Sequence, residues 1–74
     1  MVTQKEVFKA IVACKKLKNE SPSAVLEYIS GKFKVTLSLV ELKNQKLHLT
    51  KCYKRFNRKK SWDEVAELGD DKEF

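Results

Sequence analysis

Positions 51–60, KCYKRFNRKK, bring together six cations (Lys51, Lys54, Arg55, Arg58, Lys59 and Lys60) and two aromatic rings, Tyr53 and Phe56. The other 64 positions carry 10 basic and 10 acidic residues, so this block accounts for the whole formal charge of +6. The chemistry such a block can do is to hold a polyanion. Lysines neutralise phosphates as point charges, arginines add bidentate hydrogen bonds, and an aromatic face stacks on an unpaired base. Lys43 and Lys46, with Lys32 and Lys34, form a sparser positive set just upstream. The expected nucleic-acid contacts are therefore Lys51, Tyr53, Lys54, Arg55, Arg58, Lys59, Lys60, Lys43 and Lys46. The competing explanation is a solvated basic edge that merely keeps a strand from aggregating.

Other reactive groups are few. Cys14, His48 and Cys52 are the only soft ligands, with no CxxC or HxxxH pair, and a structural zinc site takes four. A Cys–His nucleophile pair needs an orienting group and an oxyanion hole, and nothing in the sequence marks either. Each cysteine reads as a small buried hydrophobe. Adjacent carboxylates occur at Asp63/Glu64 and Asp70/Asp71, which suit a helix start and a tail. Gly31 and Gly69 are isolated, so no glycine-rich phosphate loop exists. The expectation is a protein that is not an enzyme and has no cofactor, metal or catalytic residue.

A chain of 74 residues is one small domain. Residues 1–69 form the basic domain and 70–74 an acidic C-terminal tail. Two cysteines are too few for a secreted disulfide scaffold, the N-terminus is charged and amphipathic, and no run approaches a membrane span. A cytoplasmic location is expected, or nucleoid or nuclear if the partner is DNA.

The elements that must position these residues begin with a helix capped by Thr3 and Glu6, a capping box flanked by the staple pair Val2 and Val7. Val7, Phe8, Ile11, Cys14 and Leu17 recur at helical spacing, and the helix should end near Leu17 or Lys18. A second helix over residues 22–30 starts with Ser21 as cap and Pro22 in the first position, and Gly31 suits the residue after its end. From Phe33 to Leu39 the apolar residues alternate, which predicts a strand, and Leu47 and Leu49 alternate again. A β-hairpin turning at Asn44 and Gln45 pairs Leu42 with Leu47, Leu37 with Cys52 and Phe33 with Phe56, with a bulge where the apolar face swaps near Leu39 and Val40. Lys51, Tyr53 and Arg55 then share one strand face. A final helix starts at the capping box Ser61/Glu64, takes Trp62 as core anchor and stops at Gly69.

The fold expected first is a small α+β domain ordered helix, helix, hairpin, helix. The alternative is a mostly α helix-turn-helix or winged-helix-like domain, in which Thr36 caps a recognition helix over residues 37–45 and Ser38, Glu41 and Lys43 approach the groove. Either way the preferred function is a small non-catalytic DNA-binding protein in transcription regulation, with DNA ahead of RNA. The alternative is an interaction module, an adaptor or inhibitor docking on an acidic protein surface. Membrane contact is set aside because no exposed apolar wedge accompanies the charges. The acidic end suggests one further device: Asp70, Asp71 and Glu73 folding back on residues 51–60 to compete with the ligand.

Overall fold

Among the described residues the chain forms four helices: α1 (Gln4–Lys16), α2 (Pro22–Phe33), α3 (Leu39–Arg55) and α4 (Trp62–Ala66). The structure is a computed structural model that describes residues 2–19, 21–56 and 59–71. Among the described residues there is no hairpin, and the expected α+β order is corrected: one 17-residue helix stands where the hairpin was placed. The mostly α alternative fits the element types, without a β wing.

Helices α1 and α3 each contact the other three, while α2 and α4 do not meet, and α1 carries the largest share of the core. The reason lies in its sequence: Val7, Phe8, Ala10, Ile11, Val12 and Cys14 are all buried, an apolar surface too wide for one partner. Its start is the expected capping box. Thr3 Oγ1 accepts from Glu6 N–H, and Thr3 N–H donates to Glu6 Oε1 at 3.0 Å. Val2 and Val7 of the staple are both buried. The helix ends in a Schellman motif: Asn19 N–H donates to Cys14 O, Lys18 N–H donates to Lys15 O, and Lys18 adopts a left-handed φ of 57°.

Helix α2 starts as expected, Ser21 Oγ accepting from Ala24 N–H and Pro22 opening the first turn. Its end is corrected. Gly31 does not terminate it; the helix runs on to Phe33, and Lys34 takes the left-handed cap position with φ 55°. The glycine thus sits inside a helix with nothing within 4 Å of where a Cβ would be, while a lysine occupies the conformation that favours glycine. Exchanging the two roles, Gly31→Ala with Lys34→Gly, is expected to stabilise the domain by about 1–2 kcal/mol. Thermal unfolding checks this, with a rise of roughly 4–8 °C per kcal/mol in a domain of this size.

Residues 34–38 link α2 to α3. Their alternation is real: Val35 and Leu37 are half-buried against the core, and Lys34, Thr36 and Ser38 are exposed. It is the period of a short extended link, not of a strand. Ser38, not Thr36, caps α3, its Oγ accepting from Glu41 N–H at 3.1 Å. The inner face of α3 is Leu42, Gln45 and Leu49, continued by half-buried Cys52 and Tyr53. Gln45 is 6% exposed and fully engaged: its Oε1 accepts from Gln4 Nε2 at 2.9 Å and its Nε2 faces Glu41 Oε1.

Helix α4 is capped by Ser61 and Glu64 as expected, buries Val65 and Ala66, and ends at Ala66, three residues before Gly69. No described helix is long and apolar enough to cross a membrane.

Candidate nucleic-acid interface

Because positions 51–55 are helical, the basic block is arranged by a period of 3.6 residues and not of two. The expected row of Lys51, Tyr53 and Arg55 is corrected on that ground. At about 100° per residue Tyr53 lies nearly opposite Lys51. Its ring is stacked on Trp62, with centroids 3.8 Å apart and planes 9° from parallel. On this evidence of geometry Tyr53 ties α3 to α4, and Lys15 Nζ, 4.7 Å from the Trp62 ring centroid, adds a cation–π contact to the assembly. Trp62 is half-buried against the core, consistent with an anchor.

The remaining cations sort by face. Lys43, Lys51, Lys54 and Arg55 are exposed and fall, with Val40, Asn44 and Leu47, inside an arc of about 120° on the outer side of α3. Lys46 is exposed too but lies off this arc, toward α2, where with Lys43 it flanks Ile11, Pro22, Val25 and Leu42. Lys59 is exposed, and Lys60 is half-buried with its Nζ 5.4 Å from the Phe56 ring centroid. Arg58 lies outside the described residues. Of the groove contacts expected from the helix-turn-helix alternative, only Lys43 is both exposed and uncommitted. Ser38 is committed to its cap, and Glu41 is half-buried beside Gln45.

The acids are placed elsewhere. Lys5 pairs with Asp71 at 3.3 Å, Lys9 with Glu67 at 2.9 Å and Lys16 with Asp63 at 2.5 Å. The C-terminal segment is thus laid along α1, and Asp71 does not fold back on the basic block; Glu73 lies outside the described residues. Each exposed pair adds little stability. Their larger effect is on the field: α1's lysines are offset by neighbouring carboxylates, whereas no described acid pairs with Lys43, Lys51, Lys54 or Arg55. The outer side of α3 is therefore left positive.

The outer face of α3 also holds residues that the sequence reading did not assign to a site. Val40 is 70% exposed and Leu47 55%, and Asn44 stands between them along the helix. The expected lack of an apolar wedge beside the charges is therefore corrected. A helical wheel of residues 39–55 was the signal that separates these residues from the inner stripe.

Of the other reactive groups, Cys14 is buried and its thiol is pushed above its ordinary pKa by desolvation, which disfavours the nucleophilic thiolate. His48 is exposed on α3, one turn from half-buried Cys52. Among the described residues no three His, Cys, Asp or Glu side chains are grouped to hold a metal ion. Comparison of the chain with family models, curated proteins and solved structures gives no match.

Proposed function

We propose that the protein is a non-catalytic nucleic-acid-binding protein that presents the outer face of α3 to duplex DNA, in the role of a small regulator. The observation that carries this reading is the sorting of charge: acids neutralise α1, and the outward arc of α3 is basic and free of acid. Duplex is favoured over single strands because the one aromatic in the block suited to stacking, Tyr53, already faces Trp62. A helix of 17 residues, about 25 Å long, suits the major groove, which is about 12 Å wide. Such a role places the protein wherever DNA is held: the cytoplasm or nucleoid, or a nucleus.

If Lys43, Lys51, Lys54, Arg55 and Lys59 engage phosphates, log K should fall with log salt at a slope of roughly −4 to −5. Fluorescence anisotropy on a labelled duplex of arbitrary sequence reads this as a loss of roughly 250- to 1000-fold between 50 and 200 mM salt. A flat salt response overturns the mechanism. The second reading, docking on an acidic protein surface, is favoured by exposed Val40 and Leu47. It predicts a stoichiometric complex with a protein partner and no saturable duplex binding.

A further inference from the structure

We infer that α3 divides its outer face between two tasks: Val40, Asn44 and Leu47 read bases, and Lys51, Lys54 and Arg55 hold the backbone, so that the preferred sites contain A·T pairs. This rests on the duplex-binding reading above and adds to it a sequence specificity and the residues that set it.

The division follows from the order of side chains along the helix. Val40 and Leu47 are seven apart, two turns along nearly one line, and Asn44 sits four after the first and three before the second. The three form a short ridge about 10 Å long, the length of roughly three base pairs. The ridge is uncharged. Beyond Leu47 the same line becomes basic, with Lys51 and then Lys54 and Arg55. A helix entering the major groove by its N-terminal half brings its first turns to base edges while later turns meet phosphates, which is the order of chemistry seen here.

Each ridge residue has a matching group on an A·T pair. Asparagine presents a carbonyl and an amide that together satisfy adenine N6 and N7, a pattern no other base offers in that groove. Aliphatic side chains pack on the thymine C5-methyl. Val40 at 70% exposure and Leu47 at 55% are large apolar surfaces that the fold itself leaves in water, and thymine methyls are what would cover them. Nothing competes for Asn44: it is exposed, and no hydrogen bond to its side chain occurs among the described residues.

The test is selection of bound duplexes from a randomised pool by the full chain, followed by anisotropy on the enriched site. Wild type should enrich a core of three to four base pairs with adenine at one fixed position. Asn44→Ala should lose about 5- to 100-fold on that site, with an unchanged salt slope on a random duplex. Replacing thymine by deoxyuridine, which lacks the methyl, should weaken wild type roughly fourfold per contacted methyl and leave Val40→Ala/Leu47→Ala nearly unaffected. These substitutions are on exposed positions, so folding is retained. Duplex binding with the expected salt slope but no enriched core, or an enriched core unchanged in both variants, overturns the assignment and leaves the general binding function standing. Absence of duplex binding, with capture instead on anionic vesicles or an acidic protein, overturns both.

Discussion

Changing Lys51, Lys54 and Arg55 together to glutamine is expected to lower affinity for non-specific duplex DNA roughly 500-fold at 0.1 M salt and to move the salt slope from about −4.5 to about −1.8. The figure follows from removing three contacts at about 0.9 each, with the two affinities converging near 1 M salt. The substitutions are on the exposed arc of α3, and glutamine matches lysine and arginine in helix propensity. Lys54 and Arg55 do lie in the last turn, where cations favour the helix dipole, so about 1 kcal/mol of stability is expected to be lost as well. The paired control changes the same number of charges on the other side. Lys5, Lys9 and Lys16 to glutamine removes three ion pairs, two exposed and one from half-buried Lys5 to an exposed Asp71, each contributing about 1 kcal/mol or less. It should leave the slope unchanged. Equal slopes for the two triple variants would show that net charge, and not the face of α3, governs binding.

Three helix starts carry the same signature, a hydroxyl followed three residues later by glutamate: Thr3/Glu6, Ser38/Glu41 and Ser61/Glu64. The first and third were legible and are full capping boxes. The second was obscured by its surroundings. In residues 39–55 the buried stripe runs through a glutamine, Gln45, while Leu39, Val40 and Leu47 face water. Polarity is inverted at four positions of one helix, so a count of apolar residues at helical spacing fails there. The preceding link supplied a genuine period of two at Val35 and Leu37, which then extended naturally into a false strand. Tertiary context decides both. Gln45 can be buried because Gln4 of α1 meets it, a partner 41 residues away that no local window contains.

The candidate site was legible in composition but not in geometry. The cations at 51, 54 and 55 are where a charge count pointed, and the helix turns them to one side. Tyr53 was misplaced because strand and helix periods send it to opposite faces, and its true neighbour, Trp62, belongs to the next element. The uncharged ridge was invisible for the converse reason: exposed aliphatics look like core until the helix register is known.

Gly69→Ala is expected to destabilise the domain by about 2–3 kcal/mol, a large share of the roughly 4–11 kcal/mol that 74 residues ordinarily provide. A Cβ at this position would lie 2.6 Å from Lys5 Cα, 2.9 Å from Lys5 N and 3.0 Å from Phe8 Cδ2. The first two are backbone atoms of α1, so no rotamer change relieves them. Nor can the chain swing away without loss. Lys5 N–H, one of the donors that a helix N-terminus leaves without an intrahelical partner, donates to Asp70 O at 3.1 Å. Asp70 N–H donates to Gln4 Oε1 at 2.9 Å, and Gln4 in turn holds buried Gln45. Adding one methyl therefore detaches the segment that closes the start of α1 and loosens the polar link to α3. The glycine is needed for closeness and not for an unusual φ; Asp70 is held on α1 through its backbone, and the Asp71 carboxylate pairs with Lys5 of α1. Thermal unfolding should show a fall of roughly 10–20 °C. Amide exchange should show the Lys5 N–H opening ahead of the α2 amides. Below the transition, duplex affinity should be unchanged, because Gly69 approaches α1 and not the outer arc of α3. A variant as stable as wild type would mean that the chain passes α1 at a distance, and that Gly69 is only the turn residue its sequence suggests.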